Sequence, residues 1–359
     1  MGTAVAGLLL LALSFGGGSQ RLRELSAAIG QWVPGGFEEA VTVALLTIML
    51  VIVLQMVELP FAYYQGFQLE HRYGLSTQTF GHWLTDQAKG MLVGLVLAVA
   101  GSAVVFAALR NWPDGWWWIS ATVFAIATIG LAQLAPVVLL PIFYKFKPLD
   151  RPALADRLMS LATRARTDVV GVFEWVLSGH TKKANAALAG IGKTRRILLS
   201  DTLLTDYSED EIEVILAHEL AHHVHRDLWR GIAVQTAALV GGFFAADLAL
   251  RWLEDPLGLR GLSDPAALPM LLLMGGAWSL LLMPLANAVS RAQERAADRY
   301  ALKTTGNAEA FVTAMKRLSQ QNLAEEHPSL LVRWFFYSHP PIRERIDAAR
   351  AFARDGAQA

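Results

Sequence analysis

The feature that most constrains this chain is a series of apolar runs, too long and too numerous for a water-soluble core. They lie at about residues 2–15, 40–59, 90–109, 116–144, 232–253 and 268–289. A helical run of ~20 apolar residues matches the ~30 Å hydrocarbon layer of a bilayer. Charged side chains make up 17% of the chain and hydrophobic ones 54%, whereas soluble domains carry about 25% charged residues. The chain therefore reads as a multi-pass membrane protein. The first run is short, stops at Gly16-Gly17-Gly18 and has no basic residues ahead of it. It reads as a shortened first transmembrane helix, the alternative being a signal-like or surface-lying segment. Trp116, Trp117 and Trp118 at the mouth of the fourth run resemble an interfacial aromatic belt.

Between the runs the chain changes character. Residues 145–230 are charged and punctuated, with an amphipathic helix expected over Asp150 to Arg166. Stretches rich in β-formers follow at Val169 to Leu177, Ala184 to Ala189 and Arg196 to Leu199, which predicts a small sheet of two or three strands. Ser208 to His225 reads as a helix with Ser208 as N-cap and Glu211 three residues on, the pattern of a capping box. The expected organisation is 1–144 for transmembrane helices one to four, 145–230 for a membrane-proximal catalytic domain and 231–289 for a transmembrane hairpin. Residues 290–359 form a C-terminal helical region that completes the site.

Basic and acidic residues balance at 31 each, so there is no basic excess to serve a nucleic acid. With no cysteine in the chain, thiolate-held metals and iron–sulfur clusters are excluded. Any bound metal must be held by nitrogen and oxygen.

Such a donor set is present. His218-Glu219-Leu220-Ala221-His222 is an H-E-x-x-H motif on a predicted helix. Spacing of four places both imidazoles on one face, able to share a zinc ion, with Glu219 beside them as general base. The bland alternative is an amphipathic helix whose histidines face solvent. A catalytic zinc needs a third protein ligand, and Glu294 is the candidate. Asp298, one turn later, suits a hydrogen bond to the far nitrogen of a ligand histidine. Otherwise Glu294 and Asp298 would be a mildly repulsive acidic pair on a solvated helix. Glu294 follows His222 by 294 − 222 = 72 residues, and two apolar runs fill the gap. The site is thereby tied to a membrane hairpin.

With these residues in hand, the sequence resembles the type I CAAX prenyl protease family of integral-membrane zinc endopeptidases. The matching segments are Glu58-Leu59-Pro60 through Tyr73 to Thr79, then Pro141 to Leu149, and His180 to Asn185 with Arg196 to Leu204. The last is Tyr337-Ser338-His339-Pro340-Pro341-Ile342 through Ile346. The resemblance implies a mainly α, polytopic membrane protein of six to seven transmembrane helices. These enclose a water-filled chamber, and a small α+β catalytic domain lies at one membrane face. It also implies zinc on His218, His222 and Glu294, with Glu219 as base and proton donor. Asn185 would lie on the strand that binds an extended peptide or protein substrate, prenylated or not. His339 would donate to the substrate carbonyl, and Arg345 would support the site electrostatically. Plainer roles are a turn residue for Asn185, a helix-start turn for His339 and a surface ion pair for Arg345. Glu58 and Asp247 would line the chamber or pair with a neighbouring helix.

The competing functions are a membrane quality-control protease of the HtpX type, with the same chemistry and other substrates, and a non-catalytic zinc-binding transporter or scaffold. Ala/Arg/Leu-rich usage points to a bacterial inner membrane, with lipid as the surroundings, and the basic residues of the 145–230 domain and of the tail put the catalytic domain on the cytoplasmic side.

Overall fold

The computed structural model describes residues 2–190, 194–321, 325 and 328–356. Helices α1 (Gly2–Phe15) and α2 (Gly18–Gly30) are followed by α3 (Glu38–Tyr63), α4 (Phe80–Asn111) and α5 (Trp116–Leu134). Then come β1 (Lys145–Pro148), α6 (Pro152–Arg164), β2 (Val172–Val176), β3 (Ala186–Ala189) and β4 (Arg196–Ser200). The remainder is helical: α7 (Asp201–Asp206), α8 (Glu209–Val224), α9 (Asp227–Leu253), α10 (Leu268–Thr305), α11 (Ala308–Gln321), α12 (Leu330–Phe336) and α13 (Ile342–Gly356). Among the described residues, five helical stretches are long and apolar enough to cross a membrane, and α1 with α2, bent by 73°, makes a sixth if the pair is one span. The protein is thus a multi-pass, mainly helical membrane protein with a small sheet, as the sequence leads one to expect.

The chain divides into two compact units. One comprises Met1–Leu69, Phe80–Ile129 and Ala233–Leu282. Its interior gathers Leu46, Leu50, Phe106, Leu109, Trp116 and Leu250. Several polar groups in this apolar setting are paired, as an environment without water favours. Thr47 Oγ1 donates to Ser102 Oγ at 2.8 Å, and Arg23 meets Asp264 at 2.5 Å. Asp247 takes the pairing alternative, accepting from Trp116 Nε1 at 2.6 Å and from Arg251 Nε at 3.1 Å. Trp116 is fully buried while Trp118 is exposed, so the tryptophan cluster is not a uniform interfacial belt. Its first member packs inward to satisfy a buried carboxylate. Gly241 and Gly242 let α9 approach Trp278 of α10, since a β-carbon at either would lie 2.8–2.9 Å from the indole. Small residues serve this close approach between membrane helices.

The second unit comprises Glu70–Thr79, Gly130–Ile232 and Met283–Ala359. Its sheet has four strands in the order β1-β2-β4-β3, one or two more than the sequence predicts. The extra strand is β1, which pairs antiparallel with β2 from Lys145 opposite Val176 to Pro148 opposite Phe173. β2 and β4 run parallel, so β4 is interior and reads as the unbroken apolar run Ile197-Leu198-Leu199, all buried. β3 pairs antiparallel with β4 alone and forms an edge. Leu154, Leu158 and Leu161 of α6 pack with Ile197, Leu199, Leu216, Leu220 and Phe311 in the core beneath it.

Candidate active site

The site begins with a well-specified helix. Ser208 Oγ accepts from the Glu211 amide at 3.3 Å, and Glu211 Oε2 accepts from the Ser208 amide at 2.8 Å. This closes the capping box and satisfies two amide donors of the first turn. Ile212, Leu216, Ala217 and Leu220 are buried, which fixes the rotation of α8. That rotation turns His218 and His222 to one side, with their Nε2 atoms 3.3 Å apart.

Glu294 completes the cluster from α10. Its Oε2 lies 3.3 Å from His218 Nε2, and its Oε1 lies 3.4 Å from His222 Nε2. A small tetrahedral ion bound at ~2.0–2.1 Å has ligand atoms about 3.3 Å apart, so the two imidazole nitrogens are spaced for such an ion and the carboxylate offers an oxygen beside each. Glu294 Oε2 is also buried without a hydrogen-bond partner among the described residues. A bare carboxylate oxygen at this point is costly unless a cation takes its lone pair. His218, His222 and Glu294 could therefore hold a metal through nitrogen and oxygen.

Both histidines carry a carboxylate on the opposite ring nitrogen. Asp298 Oδ1 lies 2.9 Å from His218 Nδ1. Asp298 in turn accepts from Arg345 Nε at 2.8 Å and Nη2 at 2.6 Å, a bidentate pair with both residues buried. The surface ion pair weighed for Arg345 is thus not what the structure contains. Asp227 Oδ2 lies 3.0 Å from His222 Nδ1 and is buried. Such contacts keep the proton on Nδ1 and leave the Nε2 lone pair for a metal. Asp227 was not among the residues singled out in the sequence. It sits five residues after His222, where helical spacing gives no reason to bring it back, but α8 ends at Val224 with His225 as its C-cap, and Arg226 adopts a left-handed φ of 58°. That turn folds the first residue of α9 onto the histidine.

Electrostatics follow from this packing. Burial opposes a charge on His218, yet the Asp298 and Glu294 carboxylates outweigh it and push the metal-free imidazole up to about 9. Burial pushes the Glu219 carboxyl up, with His218 and His222 opposing. An upward shift brings a carboxylate toward the range useful for a general base near neutral pH.

The remaining residues line one cleft of about 360 Å³ with His218, Glu219 and Glu294. His339 Nε2 lies 3.4 Å from Glu294 Oε1, and Asn185 borders the cleft at the start of edge strand β3. Ser200 positions Asn185: its Oγ accepts from the Asn185 amide, and its own amide donates to the Asn185 carbonyl, both at 2.9 Å. Val214, Ile215, Met315 and Leu318 give the cleft an apolar wall. All the residues singled out for the site come together here. Glu58 does not belong to this unit.

Comparison with known proteins gives the family. Residues 148–353 match the profile of peptidase family M48, and residues 2–145 match a CAAX prenyl protease N-terminal region of five membrane helices. The chain is 33% identical over 291 residues to an uncharacterized metalloprotease, YhfN, of Bacillus subtilis, covering 79% of this chain and 68% of that one. It is 30% identical over 306 residues to a CAAX prenyl protease 1 homolog of Arabidopsis thaliana, covering 82% and 70% respectively. Its fold is like that in the crystal structure of S. mikatae Ste24p, with a TM-score of 0.82 at 22% identity, over 92% of this chain and 80% of the other. With its multiple spans, the protein is an integral-membrane metalloendopeptidase. The chain belongs to peptidase family M48, joined to an N-terminal region of the CAAX prenyl protease type.

Proposed function

We propose that the protein cleaves peptide bonds of an extended substrate with a zinc ion held by His218, His222 and Glu294. The observation that carries this reading is the cluster of two imidazole nitrogens 3.3 Å apart, each 3.3–3.4 Å from an oxygen of the Glu294 carboxylate. Bound there, zinc supplies Lewis acidity, which lowers the pKa of water and polarises a carbonyl. The chain's own groups do the rest. Glu219 accepts a proton from the attacking water as its oxygen bonds to the scissile carbonyl carbon. It then returns that proton to the amide nitrogen as the carbon–nitrogen bond breaks. His339 Nε2 donates to the carbonyl oxygen as negative charge builds on it. Asp298 and Asp227 keep the ligand histidines in the required tautomer, and Arg345 holds Asp298. The open side of β3, beginning at Asn185, takes the substrate backbone as an added strand.

In this reading segments 145–230 and 290–359 supply the chemistry, while 1–144 and 231–289 hold it in the bilayer. The charged ligand set must then face water, which the chamber implied by the resemblance would provide. Arg291 and Arg295 follow directly on the apolar run of α10. Positive charge beside a span favours the cytoplasmic side, here of a bacterial inner membrane. The relatives named CAAX prenyl protease 1 support a prenylated peptide as the substrate class.

Wild type and Glu219→Gln, purified in detergent, are compared for zinc content and for cleavage of a quenched peptide. Retained zinc with cleavage reduced about 10²–10⁴-fold supports the mechanism, and equal cleavage by both refutes it. Offering the same peptide with and without a prenyl group tests the substrate class.

A further inference from the structure

Away from the cleft, a second recess of about 420 Å³ is lined by Arg291, Arg295, Arg333, Leu330, Leu331 and Trp334. Its composition is unusual in joining three guanidinium groups to an exposed apolar rim. Leu330 is 82% exposed, Leu331 71% and Trp334 55%. Among the described residues, one acidic side chain is paired with these arginines. Glu344 pairs with Arg295 at 2.7 Å and with Arg333 at 2.6 Å, which leaves a local excess of two positive charges. Arg291 is buried and spends one nitrogen on the carbonyls of Arg333 and Tyr337, at 3.2 and 2.6 Å. It thereby fixes the end of α12 against α10.

The recess has a definite level. The apolar run of α10 from Leu268 to Val289 spans about 33 Å at ~1.5 Å per residue, close to the ~30 Å of a hydrocarbon layer. Arg291 is the first ionisable residue beyond it. The guanidinium groups therefore fall where lipid phosphates lie, and the leucines and tryptophan of α12 fall at the acyl boundary that such side chains favour. We propose that this recess binds the headgroup of an anionic phospholipid, with its acyl chains against Leu330, Leu331 and Trp334. Basic pockets beside membrane helices recognise lipid headgroups by this combination of charge and depth.

The test reconstitutes the full chain in nanodiscs of equimolar phosphatidylcholine and phosphatidylglycerol, extracts it gently and quantifies co-purifying lipid by native mass spectrometry. Wild type should retain phosphatidylglycerol over phosphatidylcholine by ~5-fold or more, the scale of one basic residue at a membrane surface. Arg295→Gln with Arg333→Gln should bring the ratio to about one. Glu344→Gln, which removes the competing carboxylate, should raise it, and this second variant decides the matter if the first fails to fold. Equal retention of the two lipids by wild type overturns the proposal. So does a ratio unmoved by Glu344→Gln.

Discussion

Asp227 Oδ2 lies 3.0 Å from Nδ1 of His222, and Asp227 is also the first residue of the long apolar helix α9. The same carboxylate reaches Arg230 through its other oxygen at 3.3 Å. A residue at the foot of a membrane span thus orients a side chain of the metal cluster.

Replacing Asp227 with Asn removes the charge but keeps the shape. Zinc affinity should fall 10–100-fold, read as zinc lost to a competing chelator. Thermal stability of the metal-free protein should change little, because Asn can still accept from Nδ1. An unchanged affinity would leave Asp227 a purely structural residue.

Arg345 should matter mainly for stability. Its substitution by Ala leaves Asp298 buried without its bidentate partner, a change that costs about 3–5 kcal/mol when a buried ion pair is broken. Arg345→Lys keeps the charge and loses the fork, so its melting temperature in detergent should fall between those of wild type and Arg345→Ala. Melting curves that coincide for all three would contradict the burial argument.

Metal affinity should rise with pH. Without metal, the His218 imidazole is pushed up to about 9 by Asp298 and Glu294 against the effect of burial. Burial also opposes the charge on His222, and Glu294 and Asp227 outweigh it. Below that range the ring is protonated and a metal must expel the proton, so each proton displaced gives ~10-fold per pH unit. Chelator competition should show this slope across neutral pH and a plateau above about pH 9.

His339→Ala should lower kcat by roughly 10²–10³ while zinc content stays at the wild-type level, as expected for loss of one donor to a developing oxyanion. A rise in KM with unchanged kcat would instead make His339 a substrate-binding residue. The same experiment on Asn185→Ala should show the converse, a KM effect, if β3 binds the substrate backbone.

Much of the site was legible because its chemistry follows helical spacing. His218, Glu219 and His222 share one helix, as do Glu294 and Asp298, and a period of 3.6 brings each set to one face without tertiary information. The capping box from Ser208 to Glu211 is equally local. Asp227 was not legible, because its approach to His222 depends on the left-handed turn at Arg226. Strand β1 was missed for a related reason: four residues, Lys145-Phe146-Lys147-Pro148, become a strand by pairing with β2, which sequence alone does not reveal. The start of α4 at Phe80, ten residues before the apolar run, was hidden by His82, Asp86 and Lys89. These polar residues interrupt the hydropathy but not the helix.

Helix α10 runs unbroken from Leu268 to Thr305, with Pro284 inside it, and so carries an apolar span and Glu294 on a single rod. A bilayer thicker or thinner than that span strains it by fractions of a kcal/mol per ångström, relieved by tilt or by bending at the proline. The same helix thus joins a stretch that responds to bilayer thickness to the stretch that holds Glu294. Cleavage measured in vesicles of graded acyl length reads how far the thickness of the bilayer carries along that rod.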